Sequence, residues 1–191
     1  VDAEKGLIAT NHHVVRNSRF LAVKFADRLR VEAVPLKLSS RYDLAILKIH
    51  PSFTRERDTL PLLPPEEEAK LKPGIPVVAF GSPLSQDFLV TQGIISKVQD
   101  NSLLGDFLIK PGNSGGPLLN LEGYVIGVNT FGVDDIAGAV RGHILQQILE
   151  ETLRENLAAA EVSSDPLQSL PSDRFPPELL KKKIMEGSFT L

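Results

Sequence analysis

Apolar residues enter this chain in short runs, broken by glycine, proline, asparagine and serine. Leu7-Ile8-Ala9-Thr10 predicts a short buried strand that runs straight into Asn11-His12-His13-Val14-Val15. Phe20 to Phe25 predicts a second strand, with a turn beginning at Ala26-Asp27. Leu29 to Val34 alternates apolar and polar residues, the period-two signature of a half-exposed strand. Leu44 to Ile49 is apolar enough to be largely buried. The pattern then breaks over residues 50–73. Five prolines and the run Glu66-Glu67-Glu68 predict a solvated surface connection between two halves, with room for one helical turn.

A second set of strands follows. Ile75 to Phe80 opens it and Gly81-Ser82-Pro83 ends that run; Phe88 to Thr91, Gly93 to Val98, Tyr124 to Thr130 and Ile136 to Val140 come after. Many short strands with turn formers between them predict an all-β sandwich or barrel, and the lack of interleaved helices disfavours a parallel α/β sheet. Helical spacing arises only late. Ile144, Leu145, Ile148, Leu149, Leu153 and Leu157 form one apolar stripe, which predicts a helix docked on the second set of strands. Residues 162–176 read as a linker, and Glu178 to Met185, after Pro176-Pro177, as a short helix.

Composition narrows the class. At 191 residues the chain suits one domain, or one domain with a tail, and 42% hydrophobic residues allow a packed core. The net charge of −3 gives no electrostatic ground for nucleic acid or an anionic membrane as partner. No apolar run approaches the roughly 20 residues of a membrane span. The chain has no cysteine, so disulfides, zinc–thiolate sites and thiol nucleophiles are excluded. No metal or cofactor is expected. Lys181-Lys182-Lys183 reads as a solvated helix face, and Asp134-Asp135 as a hairpin turn rather than a cation site. The chain starts at Val1 without methionine, which suits a processed product or a fragment.

The candidate chemistry centres on Lys110-Pro111-Gly112-Asn113-Ser114-Gly115-Gly116-Pro117-Leu118-Leu119. Glycines around a serine permit a turn that presents the hydroxyl while backbone N–H groups converge on one point, the geometry of a nucleophile beside an oxyanion hole. A plain glycine turn between strands accounts for the same residues. A serine hydroxyl needs a base, and the base an orienter. Of the four histidines, His50 is expected at the surface and His143 as a helix cap. His12 and His13 lie where the first strand turns, so at most one faces a given site. Asp43 stands at the mouth of the buried run Leu44 to Ile49 and could orient a base, or simply cap the turn after Ser39-Ser40-Arg41-Tyr42.

Three segments appear in one order: Thr10-Asn11-His12-His13-Val14-Val15, then Asp43 with Leu44 to Ile49, then Pro111 to Asn120. Together they resemble the HtrA/Deg branch of the trypsin-like serine proteases. Phe80-Gly81-Ser82-Pro83, Val90 to Ser96 and Gly123 to Thr130 extend the resemblance to about residues 1–150. It implies two antiparallel six-stranded barrels and a C-terminal helix. The first barrel, about residues 1–50, is expected to be incomplete, because the family carries a further strand before the point where this chain starts. The second spans about 75–142 and the helix about 143–160, so that 1–160 forms a protease domain and 161–191 a linker with a short helical tail. No PDZ domain is expected in residues 151–191.

Carried over by motif, the resemblance makes His13 the general base, Asp43 its orienter and Ser114 the nucleophile, in the chain order of the chymotrypsin-like template. His12 is then structural. The N–H groups of Gly112 and Ser114, with Asn113 between them, would form the oxyanion hole. Leu108, Val128, Asn129, Thr130 and Ala139 would line a pocket without charge, preferring small apolar residues before the scissile bond. The function implied is a serine endopeptidase acting on unfolded or misfolded polypeptide. A non-catalytic peptide-binding double barrel, or an inactive fragment, is the alternative. The family also implies an extracytoplasmic or organellar location and trimeric assembly, the latter doubtful for a chain starting at Val1.

Overall fold

The computed structural model describes residues 1–82 and 89–162. The linker and short helix expected beyond Val162 lie outside the described residues, as do Pro83 and Phe88. Ten strands are described: β1 (Leu7–Thr10), β2 (Leu21–Lys24), β3 (Arg30–Ser39), β4 (Leu44–Lys48), β5 (Pro76–Gly81), β6 (Leu89–Val98), β7 (Ser102–Gly105), β8 (Pro117–Asn120), β9 (Val125–Val133) and β10 (Ile136–Arg141). The helices are α1 (His12–Val15), α2 (Pro65–Glu68) and α3 (Gly142–Val162). The fold is mostly β, as the strand pattern predicts. Among the described residues, no helix is long and apolar enough to cross a membrane.

The strands form two bodies of different closure. β1, β4, β3 and β2 make a 4-stranded sheet in that order. Strands β10-β7-β6-β5-β8-β9 make a closed barrel. β4 lies inside the first sheet between β1 and β3, and its run Leu44 to Leu47 is buried without interruption, as a central strand covered on both faces requires. β3 pairs with β4 through a register shift at Pro35, where a residue without an N–H interrupts the ladder. The barrel is filled by Val77, Ala79, Ile95, Leu103, Phe107, Leu118 and Ile126, all with almost no exposed surface. β9 is buried from Val125 to Asn129 and emerges at Thr130, so that Phe131 to Val133 stand exposed.

Helix α3 joins the bodies rather than docking on the second set of strands alone. Its stripe of Ile144, Leu145, Ile148 and Leu149 packs in one cluster with Leu7, Leu44 and Ile46 of the sheet and Val128 and Val140 of the barrel. Fully burying such a side chain contributes about 1.5–3 kcal/mol, which makes the helix a strong link between the halves.

The connection between the halves departs from the solvated loop expected for Glu66-Glu67-Glu68. Glu66 and Glu67 are exposed, but Glu68 retains 3% of its surface. Its carboxylate accepts from Arg141 Nε at 3.2 Å and lies 2.9 Å from His143 Nδ1, while its carbonyl accepts from Arg141 Nη2 at 3.4 Å. A buried carboxylate is tolerated only when its charge is matched and its oxygens are hydrogen-bonded. The match comes from residues more than seventy positions away. Glu68→Ala leaves Arg141 without that partner and should cost about 3 kcal/mol, the lower end of the range for breaking a buried pair because Arg141 keeps some solvent contact. A urea-denaturation midpoint lowered at unchanged slope checks it.

Candidate active site

The first half of the site is built by a helix too short to stand alone. α1 has 4 residues, two of them β-branched valines, and the first N–H groups of any helix lack an intrahelical acceptor. Asp43 supplies what is missing. Its carbonyl accepts from the His12 N–H at 3.2 Å, and its Oδ1 accepts from the His13 N–H at 2.8 Å. Its Oδ2 lies 2.6 Å from His13 Nδ1. Asp43 itself sits at φ 53, the left-handed region that aspartate enters more readily than most residues. That backbone bend lets one residue offer both carbonyl and carboxylate to the same helix end.

The chemical outcome is a fixed histidine tautomer. A carboxylate at that distance accepts a hydrogen bond from Nδ1–H, which keeps the proton on Nδ1 and leaves Nε2 as the acceptor when the ring is neutral. His13 and Asp43 remain about a third exposed, at 37% and 27% of their side-chain surfaces. The ring can therefore meet a ligand from solvent.

The second half is the turn at Ser114. Lys110-Pro111-Gly112-Asn113 closes through the Asn113 N–H on the Lys110 carbonyl at 2.9 Å, with Gly112 at φ 100. Proline second and a positive-φ glycine third are the marks of a type II turn. The Asn113 N–H is thereby committed to the turn. The N–H groups of Gly112 and Ser114 have no acceptor among the described residues, so two of the three residues expected at the oxyanion hole keep a donor available. Asn113 is instead fully buried against Gly81, where any Cβ would overlap its side chain. Ser82 fixes the turn further, its N–H donating to the Gly112 carbonyl at 3.2 Å.

The two halves meet at a seam of close contacts. Gly115, at φ 84, lies against Thr10, and a Cβ there would overlap Thr10 Oγ1. Asn11 is 0% exposed; its Nδ2 donates to the Asp43 carbonyl at 2.9 Å and to Thr130 Oγ1 at 3.2 Å. Ser114 Oγ donates to the Thr130 carbonyl at 3.1 Å. His13 and Asp43 are thus joined directly, while Ser114 reaches them through Thr130 and Asn11. Gly115→Ala should destabilise the protein by more than about 1 kcal/mol, since the backbone conformation and the overlap with Thr10 both oppose a methyl group. A lowered thermal midpoint, with labelling of Ser114 by a fluorophosphonate slowed in the same sample, checks it.

The five residues expected to line a pocket divide. Leu108 is exposed and Thr130 half-buried. Val128 and Ala139 are core residues, in the α3 cluster and the barrel interior. Asn129 is 0% exposed, and its Nδ2 donates to the carbonyls of Phe80 and Pro117 at 3.0 and 3.2 Å. Its backbone also exchanges bonds with Gly115 and Gly116 at 2.8 and 2.9 Å. Asn129 therefore anchors the serine turn from behind. A cavity of about 300 Å³ beside Leu108 is bordered by Ile109, Gly132, Asp106, Asp134 and Asp135, and Ser114 is not among its lining residues.

Asn11 is the residue that sequence reasoning passes over. Its one local signal is a polar side chain placed where a buried strand ends, between Thr10 and the two histidines.

The chain is similar to proteins of one known family. Residues 1–128 match the family described as Trypsin-like peptidase domain. The chain is 41% identical over 133 residues to a DegP-like periplasmic serine endoprotease of Marinomonas sp. (strain MWYL1), covering 65% of this chain and 27% of that protein. It is 40% identical over 162 residues to the serine protease HTRA4 of Homo sapiens, covering 78% of this chain and 33% of that protein. The crystal structure of the serine endoprotease from Yersinia pestis superposes with a TM-score of 0.70 at 31% identity, covering 80% of this chain and 56% of that one. The chain thus spans about a third of the length of the curated relatives it matches.

Proposed function

The chain belongs to the trypsin-like peptidase domain family, among serine proteases of the HtrA/Deg type, and from that premise we propose that it is a serine endopeptidase cleaving unfolded polypeptide. The observation that carries the reading is the hold of Asp43 on His13, which leaves Nε2 as the base. In this reading residues 1–160 are the protease domain, with residues 161–191 as its tail.

The steps follow from the residues. Ser114 turns its hydroxyl from the Thr130 carbonyl toward His13, exchanging one neutral hydrogen bond worth about 1 kcal/mol for another. His13 Nε2 takes the hydroxyl proton as Oγ bonds to the carbonyl carbon of the scissile peptide. The negative oxygen settles on the N–H groups of Gly112 and Ser114. The tetrahedral adduct collapses, the C–N bond breaks, and His13 returns the proton to the leaving amine. Water, activated by the same base, then hydrolyses the acyl-enzyme. Phe131 to Val133 of β9 pair with β10 on one edge only among the described residues, which suits an extended substrate added as a further strand. One relative is a periplasmic protein by name, and an extracytoplasmic location is proposed here on that ground.

A second reading, a peptide-binding protein without catalysis, draws on the Ser114 bond to Thr130 rather than to His13. Incubation with a permanently unfolded protein, such as carboxymethylated lactalbumin, separates the two. Fragmentation lost in Ser114→Ala, with cuts after small apolar residues, supports the peptidase. Binding without fragmentation supports the second reading, and cuts confined to lysine and arginine overturn the uncharged-pocket reading.

A further inference from the structure

We propose that Asn11 is a positioning residue that sets the His13–Asp43 pair in register with Ser114 across the seam between the sheet and the barrel. The inference rests on the reading of those residues as base, orienter and nucleophile.

Asn11 occupies the N-cap position of α1, where an asparagine ordinarily accepts a hydrogen bond from the second or third N–H of the helix. It makes no such bond. Asp43 has taken that duty, since its Oδ1 accepts the His13 N–H. The Asn11 amide points the other way, fully buried, and its Nδ2 spends both protons on partners from different bodies. One is the Asp43 carbonyl, in the turn that carries the orienter; the other is Thr130 Oγ1, on β9 of the barrel. A backbone carbonyl can only accept, and Thr130 Oγ1 already donates to the Val128 carbonyl at 3.0 Å. Both partners therefore demand a donor, which fixes the amide orientation. The Thr130 carbonyl is the atom that holds Ser114 Oγ. A single side chain thus links the residue behind the base to the residue behind the nucleophile.

The arrangement carries a cost that helix formation does not explain. Asn11 Oδ1 is buried with no partner among the described residues, a loss that an alanine at the same cap would avoid. A side chain that bears that cost and makes no cap bond acts through its two donated bonds.

The test compares wild type with Asn11→Ala, with the isosteric Asn11→Asp and with Thr130→Val, which keeps the shape of Thr130 and removes its hydroxyl. Two readouts are needed. The first is kcat and KM for a peptide substrate. A base displaced by about 1 Å from its nucleophile costs on the order of 100-fold in rate. Asn11→Ala should therefore lower kcat by about that factor while KM stays within about two-fold, and adding Thr130→Val should not multiply the loss. The second is the nuclear magnetic resonance signal of the His13 Nδ1 proton, which reports the pair whether or not the protein turns over substrate. It should broaden or move upfield in both Asn11 variants. An unchanged proton signal in folded Asn11→Ala overturns the proposal, as does an unchanged kcat in an active enzyme. If wild type hydrolyses no faster than Ser114→Ala yet the proton responds to Asn11, the tether stands and the peptidase reading alone falls. Should Asn11→Ala fail to fold, Thr130→Val carries both readouts with the same expected direction, and its indifference overturns the proposal.

Discussion

Ser114→Ala should reduce peptide-bond hydrolysis by on the order of 10⁶-fold while leaving the fold intact. Removing the nucleophile of a serine-protease constellation costs about as much as removing the whole constellation, because base and orienter have nothing left to activate. Little structural penalty should accompany the loss. Among the described residues Ser114 makes one side-chain bond, to the Thr130 carbonyl at 3.1 Å, and the turn around it is held by backbone bonds of Asn113, Gly115 and Gly116. Burst-phase titration with a fluorophosphonate, read beside a thermal melt, checks both halves of the expectation. A Ser114→Ala protein that still hydrolysed peptide at more than about a thousandth of the wild-type rate would place the nucleophile elsewhere.

Asp43→Asn has the next largest effect expected, a fall in kcat on the order of 10⁴-fold. The change keeps shape and removes charge, and in serine proteases its cost arises from the wrong histidine tautomer. The amide can still accept the His13 N–H through its oxygen, as Oδ1 does now at 2.8 Å. It must then present its NH₂ group to Nδ1, which becomes the acceptor. The ring proton moves to Nε2, and the base is lost at the atom that needs it. The same bonds cap α1, so Asp43→Asn should cost little stability, whereas Asp43→Ala should lose activity and cap together. Pre-steady-state kinetics on the two variants, with urea midpoints, distinguishes a tautomer defect from a folding defect.

The parts of the fold legible in the sequence are those whose cause is local. β4 and β5 announce themselves by uninterrupted apolar runs, and α3 by its stripe. β7 and β8 are missed for opposite reasons. Ser102–Gly105 is short and framed by turn formers. Pro117–Asn120 directly follows the serine turn and reads as part of its chemistry rather than as a strand. α1 is illegible because its stabilising partner lies thirty residues on, in the side chain of Asp43. Glu68 misleads for the same reason, since nothing near it in the chain predicts Arg141.

The candidate site divides in the same way. His13, Asp43 and Ser114 are found by a residue pattern that resembles a family. Which groups are brought together depends on packing that no pattern encodes. Asn129 looks like a pocket wall and anchors the serine turn, and Asn11, to which the sequence assigns no role, bridges the Asp43 carbonyl and Thr130 Oγ1. In both cases the amide has two donors and finds partners on elements remote in sequence.

The unequal closure of the two strand bodies also bears on how the protein comes apart. A closed barrel opens only by breaking ladders on both sides of a strand. In the four-stranded sheet, β1 and β2 are each held along one edge among the described residues, and such margins exchange their amides through smaller, cheaper fluctuations. The candidate base hangs from the end of β1, and the candidate nucleophile from the barrel. Moderate heat should therefore extinguish turnover through fraying at the sheet margin while the barrel amides remain protected. Loss of activity and loss of structure would follow two separate curves in the same melt.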